Sequence, residues 1–327
     1  VEFNAQGWCS VVKGLVVIIA LALLSSGAPV AAKSAAAAPD PDALRVSHQQ
    51  FLRVAHLMLR LQTLNAGSCP KRSFQYGFVV ARVDDAASPA LRDAFANALR
   101  LGDVPTALTV VPEGAAASAG LHEGDRIAAI NGVPWPPSGP TASGARDTFW
   151  AAYRNAHTAS EMQIDAQVGG EVHSLRLLGQ TGCTAIVVLS NQKPVNASTF
   201  GSQIEVNSGL EALLQDDDEL AFVLGHELAH VILEHSGPGK EAQMKDPVQR
   251  HQAEMEADRL GLFLMARAGF NPAAAVTAVQ RMYRTNGPIT RLLGLHGPYM
   301  PMEQRCQFLK EEADLVRTQV QTQKAAH

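Results

Sequence analysis

Cysteine is scarce in this chain, four in 327 residues, and none falls in a Cys-x-x-Cys pair. Cysteine-based metal sites and dithiol redox centres use that spacing, so its lack argues against both. Basic residues are outnumbered, 27 lysines and arginines against 31 aspartates and glutamates, and they form no block or arginine-rich arm. No nucleic-acid partner is expected on that balance. No long-period repeat is present. After Ala32 no apolar run reaches the roughly 20 residues that a membrane-crossing helix needs. What remains is a globular composition, 46% hydrophobic and 18% charged, with length for two ordinary domains.

The N-terminal segment stands apart. Lys13 precedes the apolar run Gly14 to Leu24, and small residues follow to Pro29-Val30-Ala31-Ala32. Residues 1–32 are expected to be a secretory signal peptide cut near Ala32, or an N-terminal anchor if uncut. Either places the rest in the periplasm, or membrane-associated and facing it; membrane contact follows only from an uncut segment. Export permits disulfides. Beyond residue 32 stand Cys69, Cys183 and Cys306, an odd number that leaves at least one thiol unpaired within the chain.

The fold class expected is α+β. Residues 33–67 read as an Ala/Pro-rich linker and a helix from Ala43 to Leu64, packed on a neighbouring domain. Residues 68–182 are rich in short strands: Phe78 to Val80, Leu108 to Val111, Ile127 to Ile130 ending in the turn signal Asn131-Gly132, and a hairpin pivoting on Gly169-Gly170. Helices are expected at Pro89 to Leu101 and Asp147 to Ala156. Residues 183–327 are mainly helical. They open with an apolar strand at Ala185 to Leu189 and an edge-type strand at Ser202 to Val206, and helices follow at Asp216 to His235, Pro247 to Ala268, Pro272 to Arg284 and Met302 to about Thr318. The Gly- and Pro-rich stretch Asn286 to Pro301 is expected to be a non-helical cover over a cleft, with His296 near its tip.

The chemistry centres on His226-Glu227-Leu228-Ala229-His230. Residues four apart share a helix face, so both imidazoles can hold one ion while Glu227 reaches a water on it. A carboxylate-rich helix follows, with Glu254 and Asp258 four apart. Glu254 is read as the third ligand, in preference to Glu256, which faces another way. Asp258 is read as the acceptor for the far nitrogen of a bound histidine. Two histidines, one carboxylate and an open position suit one catalytic Zn2+ per chain. A third histidine ligand is not indicated: Leu233 and Ser236 stand where metzincins carry glycine and histidine, and His235 is expected to face away from His230.

Two resemblances follow from these residues. The string Ala119-Gly120-Leu121-His122-Glu123-Gly124-Asp125-Arg126-Ile127, leading to Ile130-Asn131-Gly132, resembles a bacterial PDZ domain. It implies binding of an extended or C-terminal peptide by strand addition, with Tyr76-Gly77-Phe78 as the carboxylate-binding turn. Cys69 and Cys183 flank that segment and are expected to pair, leaving Cys306 free. The stretch from His226 to His230, with Glu254-Met255-Glu256-Ala257-Asp258 and an Asn196-Ala197 segment before them, resembles the zinc metallopeptidase family that holds HtpX, BepA and the CAAX prenyl proteases. That resemblance implies a gluzincin endopeptidase domain, with His226, His230 and Glu254 on zinc, Glu227 as base and Asp258 in support. The lack of later membrane-length runs points to the family's soluble, exported branch. Arg305 fits its C-terminal loop, but Tyr299 stands where a histidine is common. His296, Tyr283 and Arg305 remain the candidates for stabilising an oxyanion. The expected activity is endoproteolysis of misfolded or unfolded envelope polypeptides; the alternative is a PDZ-bearing chaperone or scaffold with weak or no proteolysis.

Overall fold

The computed structural model describes residues 40–85, 89–137, 143–240, 245–292 and 301–325. The fold is α+β, and the chain forms two compact units. Of the described residues, one comprises 40–46 and Ser73–Thr181; the other joins Ser47–Arg72 to the residues from Gly182 on. Helix α1 (Pro41–Leu64) thus belongs largely with the later helices, and the β-rich unit is inserted between them. The chain enters and leaves this insertion through strands β1 (Arg72–Gln75) and β8 (Gln180–Cys183), which pair with each other.

The inserted unit is an antiparallel sheet of β2 (Phe78–Ala81), β3 (Thr106–Val110), β4 (Arg126–Ile130), β6 (Glu161–Val168) and β7 (Glu171–Leu178), in that order, with β5 (Val133–Pro134) paired to β4. Three helices accompany it, α2 (Pro89–Leu99), α3 (Ala115–Ser118) and α4 (Ser143–Ala156). Alternation along β6 buries Met162, Ile164 and Ala166, and Phe149 and Tyr153, four apart on α4, pack into the same core. Asn131 and Gly132 both have positive φ, 48° and 75°. This is the backbone that a two-residue hairpin between β4 and β5 demands.

The helical unit carries a three-stranded sheet in the order β10 (Ala197–Phe200), β11 (Gln203–Asn207), β9 (Ile186–Ser190). Strand β11 runs parallel to β9 and antiparallel to β10, so it is the central strand and not the edge its alternation suggested; β10 is an edge. Alternation reports a half-buried face and cannot tell how many partners a strand has. The helices follow: α5 (Ser208–Leu213), α6 (Asp217–Ile232), α7 (Pro247–Arg267), α8 (Ala274–Leu292) and α9 (Met302–Ala325). Asp216 caps α6 by accepting from the amides of Asp218 and Glu219, and Asp246 caps α7 likewise. Helix α1 is tied in by Arg53 to Glu211 at 2.8 Å and by Asn65 to the carbonyl of Leu264 at 2.9 Å.

One expectation changes here. Helix α8 continues through Gly287 and Pro288 to Leu292, so only the later part of the supposed cover, residues 293–300 with His296, lies outside the described residues. Cys69 and Cys183 are bridged, with Cα atoms 5.3 Å apart, and both belong to the helical unit, one on each side of the inserted segment in sequence. Cys306 is the free thiol among the described residues. The supposed signal segment also lies outside them. Among the described residues no helix is long and apolar enough to cross a membrane.

Candidate metal centre

Helix α6 is buried on every side from Glu219 to His230, which is unusual for a helix carrying two histidines and a glutamate. Its spacing brings the His226 and His230 rings to 4.7 Å between centroids and their Nε2 atoms to 3.1 Å. Helix α7 approaches through a pair of glycines. A Cβ on Gly225 would stand 2.9 Å from the Gly261 carbonyl oxygen, and one on Gly261 would stand 2.8 Å from the His226 amide nitrogen. Only hydrogen fits there. Asp258 and Glu254 lie one and two turns before Gly261, so this close crossing carries both carboxylates to the histidines. Glu254 Oε2 is 3.2 Å from His226 Nε2 and 3.7 Å from His230 Nε2.

The hydrogen bonds behind these atoms decide what they can hold. Asp258 Oδ1 is 2.9 Å from His226 Nδ1, and Arg305 clamps the same carboxylate with Nε at 2.8 Å on Oδ2 and Nη2 at 2.7 Å on Oδ1. A carboxylate only accepts, so His226 carries its proton on Nδ1 and presents a lone pair at Nε2. Glu254 Oε2 is buried and receives no hydrogen bond. His226 Nε2, His230 Nε2 and Glu254 Oε2 therefore converge away from water, an arrangement that is costly unless a proton or a metal cation lies among them. Burial works against charge on His226, yet Asp258 and Glu254 push its ring up to about 10, so a proton competes with a metal ion for Nε2. Burial works against charge on Glu254 too, yet the two histidines hold its carboxyl well below the usual range. The site favours positive charge, and its N, N, O donor set fits zinc with a position open for chemistry. No other such cluster occurs among the described residues.

Glu227 turns toward β10. The hydroxyl of Thr199 donates to Glu227 Oε2 at 2.7 Å and to its carbonyl at 3.1 Å, and Ser236 donates in turn to the Thr199 carbonyl at 2.8 Å. Thr199 carried no signal in the sequence, since a threonine on a short strand has no periodic partner. His235 does not face away from His230: their Nδ1 atoms are 3.0 Å apart, and His235 Nε2 lies 3.1 Å from Glu256 Oε2. Burial and the neighbouring His230 push His235 below the usual histidine range.

The remaining candidates fall as follows. Arg305 is buried and holds Asp258 behind His226. Tyr283, half-buried on α8, is pushed up by burial and bonds Arg305. In the β-rich unit Tyr76 is a core residue whose hydroxyl donates to the carbonyls of Ala156 and Ala159, at 3.2 and 2.7 Å. The Tyr76 and Gly77 carbonyls accept from the amides of Ala116 and Val111, and Phe78 is buried. That turn is packed tightly: a Cβ on Gly114 would meet Gly77 Cα at 2.9 Å.

The model of peptidase family M48 matches residues 161–245, spanning His226 to His230. The match covers about a quarter of the chain and includes the helix that carries both histidines. A PDZ domain model matches residues 77–136 in the β-rich unit. A similar protein is the mitochondrial metalloendopeptidase OMA1 of Arabidopsis thaliana, 29% identical over 31% of this chain and 26% of that protein. The chain thus spans about a quarter of the length of that relative. The M48 match ends before α7, so Glu254 and Asp258 join the site through the geometry above.

Proposed function

We propose that this chain is a zinc-dependent endopeptidase acting on unfolded or misfolded exported polypeptides. One observation carries the reading: ligand atoms of His226, His230 and Glu254, all buried, lie within 4.8 Å of one another, with Glu227 on the neighbouring position of the same helix. Zinc held by these three residues supplies the Lewis acidity that makes a water nucleophilic near neutral pH. Glu227 then does the proton work. Thr199 holds Oε2, leaving Oε1 to take the water's proton and return it to the departing amine. Arg305 and Asp258 hold His226 in the tautomer that presents Nε2.

The PDZ domain supports recruitment of an extended peptide. Strand β2 ends its sheet, and a peptide strand would add along that edge, where the Tyr153 hydroxyl now reaches the Phe78 carbonyl at 3.5 Å. The apolar segment before Ala32 supports export.

The test is metal content together with digestion of unfolded casein, with and without chelator. The expected result is one zinc per chain and chelator-sensitive cleavage. Glu227→Gln should keep the metal while turnover drops roughly 10²- to 10⁴-fold. Cleavage that survives chelation, or full activity in Glu227→Gln, would sink the mechanism. Zinc without any cleavage would favour the scaffold alternative.

A further inference from the structure

The two histidine ligands are supported unequally. Behind His226 stands Asp258, with its side chain 2% exposed and its carboxylate clamped by Arg305. Behind His230, among the described residues, stands no carboxylate directly. What stands there is His235, brought back by the way α6 ends.

Helix α6 closes at Leu233, and Glu234 takes a left-handed backbone, φ 53°. The amide of His235 then donates to the His230 carbonyl at 3.1 Å, and that of Glu234 to the Val231 carbonyl at 3.3 Å. These are the two bonds of a Schellman ending. The reversal folds His235 over the last turn, so its ring meets the ring it would have pointed away from on a continued helix. The ring centroids are 5.1 Å apart.

The protons along this contact are dictated from its outer end. Glu256 accepts at Oε2 from His235 Nε2 at 3.1 Å, and Gln252 steadies the same carboxylate by donating to Oε1 at 2.8 Å. A neutral imidazole has a single N–H. With that proton on Nε2, His235 Nδ1 holds a lone pair and accepts from His230 Nδ1–H. His230 must then present its lone pair at Nε2, toward His226 and Glu254.

We infer that His235 and Glu256 are positioning residues for the metal centre, a histidine–carboxylate relay that locks His230 in the tautomer that binds zinc. The inference rests on the metal-site reading above. It gives Glu256 a role without making it a ligand, and it makes His235 the counterpart, at one remove, of Asp258. The relay lies on the solvent side: the Glu256 side chain is 43% exposed, and both residues line an open cleft of about 280 Å³ with Lys240 and Gln249. Its loss should therefore weaken the site without abolishing it.

The test is zinc affinity of the full chain by competition with a chromophoric chelator. His235→Ala should weaken zinc roughly 10- to 100-fold. Glu256→Ala should weaken it less, and the double variant should be no worse than His235→Ala, because Glu256 acts through His235. His235→Gln, whose amide oxygen can accept from His230 Nδ1–H, should recover part of the loss. In the unaltered zinc-loaded chain, long-range 1H–15N spectra should show His230 protonated on Nδ1 and His235 on Nε2, a readout that survives even if a variant does not fold. Zinc held as tightly by His235→Ala as by the unaltered chain, additive losses in the double variant, or a proton on His235 Nδ1 would overturn the relay alone. An unaltered chain that binds no zinc would overturn the metal site and the relay together.

Discussion

Asp258 shows how much depends on a single carboxylate at this site. It is buried, accepts from His226 and is held by both arms of Arg305, and these charges keep it below the usual carboxylate range although burial pushes the other way. Asp258→Asn keeps the shape and removes the charge, so zinc should weaken by roughly 10- to 100-fold and not vanish; chelator competition measures this. A second titrating group sits in the β-rich unit. His157 donates from Nδ1 to the Phe74 carbonyl at 3.1 Å and meets the rings of Tyr76 and Tyr153 edge-on. Burial pushes it below the usual histidine value, the Phe74 contact only partly offsetting that. The unfolded chain therefore takes up the proton first. The stability that neutral His157 contributes is complete above about pH 6.5 and is lost as the pH falls toward its lower folded value. His157→Gln should flatten this slope in thermal unfolding of the full chain; an unchanged slope would place the pH dependence elsewhere.

At the scale of elements, the centre exists because α6 and α7 cross at Gly225 and Gly261 with no room for a side chain. In an ordinary helix interior Gly→Ala stabilises by about 0.5–1 kcal/mol. Here Gly261→Ala should have the opposite sign, costing about 1–3 kcal/mol in urea unfolding through overpacking against the His226 backbone. Zinc should weaken in the same variant, since Glu254 and Asp258 ride on the displaced helix. A Gly261→Ala chain that gained stability and kept its zinc would show that the contact is not what sets the site. The helix ending at Glu234 matters equally. A spacing argument assumes that a helix continues, and on a continued α6 His235 would turn away; one left-handed residue removes that assumption.

For the whole molecule, the insertion of the β-rich unit is the main organising fact. Its entry and exit are joined by the Cys69–Cys183 bridge, which closes a loop of sequence separation 114. A loop of that length gives the bridge a large effect on the unfolded ensemble, so Cys183→Ala should cost about 2–5 kcal/mol. The loss should appear in the unfolding of the helical unit, where both cysteines lie, read from denaturation with and without reductant. Equal stability under both conditions would show that the strands at the base hold without it. The PDZ and M48 matches overlie these two units with one offset: the M48 match begins in β6, within the inserted unit.

Local rules explain what could be read from the residues alone. The i, i+4 spacing of His226 and His230, the caps at Asp216 and Asp246, the Asn131-Gly132 hairpin and the burial of alternate residues on β6 all follow from backbone geometry within one element. Glu254 and Asp258 were legible as a shared face for the same reason, and the structure sets them against the histidines. The third dimension decided what passes between elements. It placed Arg305 on Asp258, Thr199 on Glu227 and His235 against His230, made β11 central, and carried α8 on to Leu292. Periodicity gives a side chain's direction about its own axis and holds only while the element continues. How near two axes come depends on which residues meet at their crossing, here two glycines, and that is settled only when the helices pack.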